Sequence, residues 1–270
     1  MLSQEKNGNI GATLKFSNFD MITVIILTKN SQETLEDTLF SVRGFPEILV
    51  YDTGSTDTTL DIAKQFPNVK IIQSEFIGFG PTRNKAAKSA THDWILALDS
   101  DEVLSSKLSQ EILNISLDSN FIYQIDRHNF FNGKWIKSCG GWYPDPIIRL
   151  YHRKKTQFTD SMIHEKVSSQ GMQIHPLFYP LFHTPYRNIH DFLKKMQVYS
   201  DLFATQKKDS KPVSLAKAIF HGSFAFFKSY FLKKGLKQGV EGFIISAYNG
   251  HTAFYKYLKL REAQKNQDIL

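Results

Sequence analysis

Three carboxylates stand close together at Asp99, Asp101 and Glu102, directly after the apolar run Trp94-Ile95-Leu96-Ala97-Leu98. Crowded carboxylates repel one another unless a cation or a proton compensates, so a hard divalent cation such as Mg²⁺ or Mn²⁺ is a natural partner for Asp99 and Asp101. The same Asp-Ser-Asp-Glu stretch also suits a solvated helix start, where Asp and Ser satisfy free N–H groups. A second polar cluster, Tyr51-Asp52-Thr53-Gly54-Ser55-Thr56-Asp57, puts an acid, a glycine and several hydroxyls into one turn. Gly54 permits a tight backbone there, Ser55 and Thr56 can cap a helix, and Asp57 favours a helix N-terminus. Asp52 has no evident structural need at a strand end, whereas a nucleobase N–H would give it a partner.

Both clusters need elements to hold them, and the hydrophobic pattern supplies an alternation. Ile22 to Thr28, Glu47 to Tyr51, Val69 to Gln73 and Trp94 to Leu98 read as strands, Glu47–Tyr51 and Trp94–Leu98 as buried ones. Between them, Gln32–Val42, Thr58–Phe66 and Thr82–Ala90 read as helices, with Gly78-Phe79-Gly80-Pro81 as a loop before the third. Strands alternating with helices imply right-handed βαβ units and a parallel sheet, whose ligands bind beyond the carboxyl ends of the strands. Both polar clusters fall at such ends. Thr28-Lys29-Asn30-Ser31 follows the first strand in place of G-x-G-x-x-G, and no G-x-x-x-x-G-K-[ST] loop occurs, so the dinucleotide and P-loop classes are excluded.

Further along, Ser105 to Ser116 reads as a helix, Phe121 to Ile125 begins a strand, and Asn132-Gly133 marks a hairpin. Ile147–Tyr151 and Met162–Val167 are strand-like, as is the apolar run leading to His183. The last third is helical. One helix, capped by Asn188 or Asp191, carries Phe192, Met196, Tyr199 and Phe203; a second, from Ser210-Lys211-Pro212, carries Leu215, Ile219, Phe220, Phe224, Phe227 and Phe231 among lysines; glycines then precede a helical Phe243–Leu260. Such a stripe either packs on the catalytic domain or lies on anionic lipid.

At 270 residues and 41% hydrophobic content the chain can bury a large core. Its net charge of +7 conceals an asymmetry: residues 1–120 hold ten Lys/Arg against sixteen Asp/Glu, residues 121–270 twenty-three against ten. A basic half suits nucleic acid, a phosphorylated acceptor or an anionic membrane face, but no zinc, helix-turn-helix or RNA-binding signature appears. One cysteine, Cys139, precludes an intrachain disulfide and fits a reducing compartment. With no apolar run of about twenty residues and no signal-peptide pattern, the expectation is a cytoplasmic protein. Residues 1–20 are expected to be a peripheral tail.

Four motifs in order carry a resemblance: Thr28-Lys29-Asn30, Asp52-Thr53-Gly54-Ser55-Thr56-Asp57, Arg83-Asn84, and Leu98-Asp99-Ser100-Asp101-Glu102. Together they resemble the inverting glycosyltransferases of family 2, of the GT-A fold, most strongly over residues 22–102. The resemblance implies an α/β GT-A domain over 21–188, with a nucleotide-sugar half (21–102) and an acceptor half (103–188), and a basic helical region over 189–270. It implies that Asp52 contacts uracil, that Thr28 and Asn30 line the nucleotide pocket, and that Arg83 and Asn84 lie near the nucleotide-sugar. The resemblance implies that Asp101 and Asp99 form the divalent-cation motif, Asp99 through ribose or a metal-bound water, and that His183 either completes the shell or is a satisfied structural residue. Glu102 is left as a helix-start acid.

An inverting transfer needs one base for the acceptor hydroxyl. Glu165, after an Arg149-Leu150-Tyr151 strand, is the preferred candidate, and Asp145 is the alternative base or an acceptor contact. Trp142 and Tyr143 either stack on a sugar or pack in the core. Gly140-Gly141-Trp142-Tyr143-Pro144-Asp145 and the Phe231-Leu232-Lys233-Lys234-Gly235-Leu236-Lys237 tail look like the lipopolysaccharide-core β-glucosyltransferase branch. The implied reaction moves a hexose, glucose from UDP-glucose, to a lipid-linked core acceptor at the inner membrane face. The alternatives are a peptide or capsule-precursor acceptor, or a non-catalytic sugar-nucleotide or glycan-binding protein of the same fold.

Overall fold

The four predicted strands form one edge of a ten-stranded mixed sheet in the computed structural model, which describes residues 21–161 and 165–267. The expected tail over residues 1–20 lies outside the described residues. Strands β1 (Ile22–Thr28), β2 (Glu47–Asp52), β3 (Val69–Gln73) and β4 (Trp94–Asp99) pair in parallel in the order β3-β2-β1-β4. All seven residues of β1 are buried, as a strand covered on both faces requires. Side chains alternate between two cores. Ile22, Val24, Ile26, Leu96 and Leu98 pack on the face covered by α1 (Leu35–Val42), α2 (Thr59–Ala63) and α4 (Ser106–Asn114); Ile25, Leu27, Ile95 and Ala97 face Ala86 and Ala87 of α3 (Phe79–Lys88).

The stretch read as a loop before the third helix is its first turn. Gly78 precedes the helix, and Pro81 sits where an N–H has no helical partner anyway. Gly80 N–H donates to Ser161 O at 3.2 Å, and a Cβ on Gly80 would lie 1.8 Å from Thr159 O, so the helix start and the 159–161 segment approach as only glycine allows.

After β4 the chain turns through β5 (Glu102–Leu104), and α4 starts at Ser106 with Ser105 as its cap. Glu102 is therefore a strand residue rather than a helix-start acid. The long β6 (Phe121–Phe131) runs antiparallel to β8 (Pro146–His152), which pairs antiparallel with β4. The Asn132-Gly133 hairpin to β7 (Lys134–Trp135) forms as expected, both turn residues at positive φ. β9 (Gln173–Pro176) and β10 (Leu181–His183) flank β6, and β10 also pairs with β5. The strand expected over Met162–Val167 is reduced, among the described residues, to an isolated bridge between Phe158 and Val167; residues 162–164 lie outside them.

The C-terminal helices are α5 (Ile189–Lys207), α6 (Leu215–Phe227) and α7 (Val240–Gln267). Asn188 caps α5, whose buried stripe is Phe192, Met196, Ser200 and Ala204, so Tyr199 stays largely exposed. α6 begins after Ser214, whose hydroxyl accepts from Lys217 N–H, several residues beyond Pro212. Its buried face is Ala218 and Gly222, and Gly222 abuts Gly250 O and Phe254 of α7, a seam that larger side chains would force apart. The phenylalanines point the other way: Phe220, Phe224, Phe227 and Phe231 are 66, 47, 48 and 50% exposed.

Candidate active site

At the carboxyl ends of β1, β2 and β4, three loops are tied to one another. Asn30, in the left-handed region, donates its N–H to Ser55 Oγ and accepts from Thr56 N–H on Oδ1, each at 2.8 Å. Ser31 reaches across to Ser100, their hydroxyls 2.7 Å apart. Asp52 is fully buried and has local partners after all: its carboxylate accepts from the N–H groups of Gly54 and Ser55 and from the Ser55 hydroxyl. Such a turn is a structural use of an acid at a strand end. Thr28 lies beside it, its buried hydroxyl without a partner among the described residues.

Next to these loops is a chain of charges. Asp99 pairs through Oδ1 with Arg83 Nη2 and through Oδ2 with Arg149 Nη2 at 2.7 Å. The same Arg149 nitrogen lies 2.6 Å from Glu102 Oε1, which also takes Arg127 Nη1 at 2.8 Å. Arg127 Nε reaches Asp145 Oδ2 at 2.8 Å, and Arg83 Nε reaches Glu165 Oε1 at 3.0 Å. Glu102 is completely buried, and its Oε2 accepts from Asp99 N–H at 3.0 Å, closing the Asp-Ser-Asp-Glu turn on itself. Burial opposes the charge on Asp99, yet Arg83 and Arg149 hold its carboxyl well below the usual carboxylate range. Burial likewise opposes the charge on Glu102, and Arg149 and Arg127 outweigh it, despite repulsion from Asp99. Arg149 is held above its ordinary value by the same two acids against its own burial.

Strand register then sets His183 beside both Glu102 and Asn129, its neighbours across β10–β5 and β10–β6. Its Nε2 faces Asp101 Oδ2 at 3.5 Å. Asp101 is the one carboxylate of the cluster that no arginine pairs among the described residues. Counting Asp99, Asp101, Glu102, Asp145 and Glu165 against Arg83, Arg127 and Arg149 leaves a formal charge of −2 with His183 neutral. A divalent cation would balance that charge. Among the described residues no group of three His, Cys, Asp or Glu converges to hold a metal. One carboxylate beside an imidazole would suit a divalent cation that takes its remaining ligands from substrate phosphates and water, the carboxylate as the hard ligand.

The expected site residues thus fall into distinct places. Asp101 and His183 meet, whereas both oxygens of Asp99 are occupied by guanidinium groups rather than turned to a shared metal position. Arg83 is only 3% exposed and bridges Asp99 and Glu165, its Nη1 left without a partner among the described residues. Both sides of the Asn84 amide are spent on the backbone of Phe158, at 2.9 Å each, so Asn84 anchors that segment under α3. Trp142 is partly buried and packs against Phe131, Tyr186 and Phe192, and Tyr143 donates to Asp126 at 3.1 Å. The sequence reading missed Arg127 and Asn129, and it missed the role of Glu102.

The chain matches the family model described as "Glycosyl transferase family 2" over residues 23–172. It is 28% identical to an uncharacterized glycosyltransferase of Rickettsia bellii, over 92% of this chain and 91% of that one. It is 23% identical to the lipopolysaccharide core biosynthesis glycosyltransferase LpsC of Rhizobium meliloti, over 88% and 91%. Among solved structures, S. aureus TarS 1-349 in complex with UDP-GlcNAc aligns with 92% of each chain at 17% identity and a TM-score of 0.45, too distant to carry an argument about the site.

Proposed function

We propose that this chain, which belongs to glycosyl transferase family 2 and has its GT-A fold, is an inverting, divalent-cation-dependent hexosyltransferase. It moves glucose from UDP-glucose to a lipid-linked acceptor of the lipopolysaccharide inner-core type. The observation that carries the reading is the −2 carboxylate–guanidinium cluster at the carboxyl ends of β1, β2 and β4, with Asp101 and His183 as its unneutralised edge. In this reading Thr28, Asn30 and the Asp52 turn form the wall that receives the uridine. Asp101 and His183 would hold the cation, which would supply positive charge where the departing diphosphate becomes more negative. Arg83, Arg149 and Glu102 keep Asp99 and the turn after β4 in place.

The acceptor's proton goes to a carboxylate on the far side of the sugar. Glu165, held by Arg83, is the first candidate and Asp145, held by Arg127 and Asn129, the second. Glu165→Gln is expected to lower kcat by about 10²–10⁴-fold with UDP-sugar affinity nearly unchanged. Unaltered turnover in that variant, together with loss in Asp145→Asn, moves the role to Asp145.

The membrane side of the reading is supported by the exposed phenylalanine stripe and by the exposed Lys217, Lys228, Lys233 and Lys234 around it. No helix of the described residues is long and apolar enough to cross a membrane, so the contact would be peripheral. Replacing Phe220 and Phe224 together by serine is expected to weaken binding to anionic vesicles by at least about tenfold. Melting should be barely affected, because neither ring is in the core. Vesicle sedimentation with a salt series checks both terms. Similarity to LpsC supports the core-oligosaccharide acceptor. A panel of UDP-sugars, read as UDP release with isolated core oligosaccharide, tests the function: glucose-dependent release with a core mass gain of one hexose is expected, and no release with any donor would refute it.

A further inference from the structure

Asn129 is almost fully buried, at 5% exposure, and lies between the cation pair and the second base candidate. Its Nδ2 sits 2.7 Å from Trp142 O and 2.9 Å from Asp145 Oδ2. Both of those atoms are acceptors, so the amide nitrogen must point to them and the amide oxygen must point the other way. That oxygen is 2.6 Å from His183 Nδ1. An amide oxygen accepts and cannot donate, so Nδ1 carries the proton and the neutral ring presents its lone pair at Nε2. Nε2 is the nitrogen that faces Asp101. The backbone enforces this alignment, because Asn129 and His183 are register neighbours on β6 and β10.

We propose that Asn129 is the positioning residue of the site: it locks His183 in the Nδ1–H tautomer, aims Nε2 at the cation position beside Asp101, and holds Asp145 in the same grip. The inference rests on the reading of Asp101 and His183 as a cation pair. A metal-binding histidine needs its other nitrogen fixed by an acceptor, and loss of such a partner typically weakens metal affinity by about 10–100-fold. Because one amide serves both His183 and Asp145, a shift at either is transmitted to the other. The imidazole that would hold the cation and the acceptor-side carboxylate are thereby tied to one amide.

The test uses the full chain labelled with ¹⁵N-histidine, at a mildly alkaline pH where imidazoles are neutral, with His183→Gln identifying the resonance. Long-range ¹H–¹⁵N correlation should show His183 as Nδ1–H in the native chain. In Asn129→Leu the Nε2–H form should become dominant, and Mn²⁺ affinity measured with UDP present should fall by about 10–100-fold. Asn129→Asp retains an acceptor toward Nδ1 and should restore the native tautomer; it also reports if the leucine variant does not fold. An Nε2–H tautomer in the native chain overturns the inference, and so does an unchanged tautomer and affinity in Asn129→Leu. Native Mn²⁺ affinity in His183→Gln would instead remove the cation pair itself, and with it the cation half of the inference, while the tautomer result still reads the Asn129 contact.

Discussion

Asp101→Ala is expected to lower sugar transfer by about 10²–10³-fold while leaving the melting temperature unchanged or slightly raised. The Asp101 side chain is 29% exposed and its ion-pair partner is His183, at 3.5 Å. Its structural contribution is a backbone one, with Asp101 O accepting from Thr184 N–H at 3.3 Å, and alanine keeps that bond. Truncation also takes one negative charge from a cluster that carries an excess of two, which eases repulsion in the resting protein. What would be lost is the carboxylate of the proposed cation pair, which would act where charge develops on the departing diphosphate. Steady-state kinetics with UDP-glucose beside a thermal melt reads both quantities. Activity within threefold of native would take Asp101 out of the mechanism, and a melting point lowered by several degrees would make it structural.

The neighbouring residue should behave in the opposite way. Glu102→Gln is expected to destabilise the fold by about 3–5 kcal/mol, because two guanidinium groups lose a shared buried partner at once, Arg149 keeping only Asp99 and Arg127 only Asp145. At a few degrees per kcal/mol for a chain of this size, the melting temperature should drop by roughly 10 °C. Two guanidinium groups depend on Glu102 Oε1: Arg149, 8% exposed, at 2.6 Å and Arg127 at 2.8 Å. Its Oε2 also holds Asp99 N–H, so the turn that presents Asp101 loosens together with the ion cluster. Glutamine keeps the shape and one carbonyl acceptor but not the charge. Calorimetry on the purified variant gives the value, and a drop of less than about 2 °C would mean that the cluster is hydrated enough to tolerate a vacant charge. Two acids adjacent in sequence are thus assigned to function and to stability by their burial and partners.

This division was only half visible in the sequence. Runs that are apolar on both faces made β1, β2 and β4 legible, because a strand inside the sheet has no polar side to show; β3, the edge strand with Lys70 and Gln73 exposed, showed only through its alternation with helices. Asn132-Gly133 declared its hairpin and Asn188 its helix, since turn and cap chemistry is local. The partners of Glu102 are not local: Arg127 and Arg149 stand 25 and 47 residues away, and Arg83 meets Glu165 across 82. No periodicity links residues at such distances, so a buried hub looked like a helix-start acid. Asn129 was missed for the same reason; its role exists only once β10 lies beside β6.

The Asp52 turn was readable and was passed over. An Asp followed two and three residues later by Gly and Ser is a local hydrogen-bonding pattern, and the N–H groups of Gly54 and Ser55 fulfil it. In α6 the aromatic period was plain but its direction was not. A stripe of large side chains says that one face is apolar, whereas the small residues Ala218 and Gly222 determine which face meets α7.

Cation dependence and inversion of the transfer can be read in a single assay. The chain, freed of divalent metal with EDTA, is assayed with UDP-glucose and isolated lipid-linked core oligosaccharide, before and after addition of Mn²⁺ or Mg²⁺, and the new linkage is read by NMR. No transfer before the metal, transfer after it, and a β-linked product from the α-linked donor is the predicted result. Undiminished transfer in EDTA, or an α-linked product, would contradict the account.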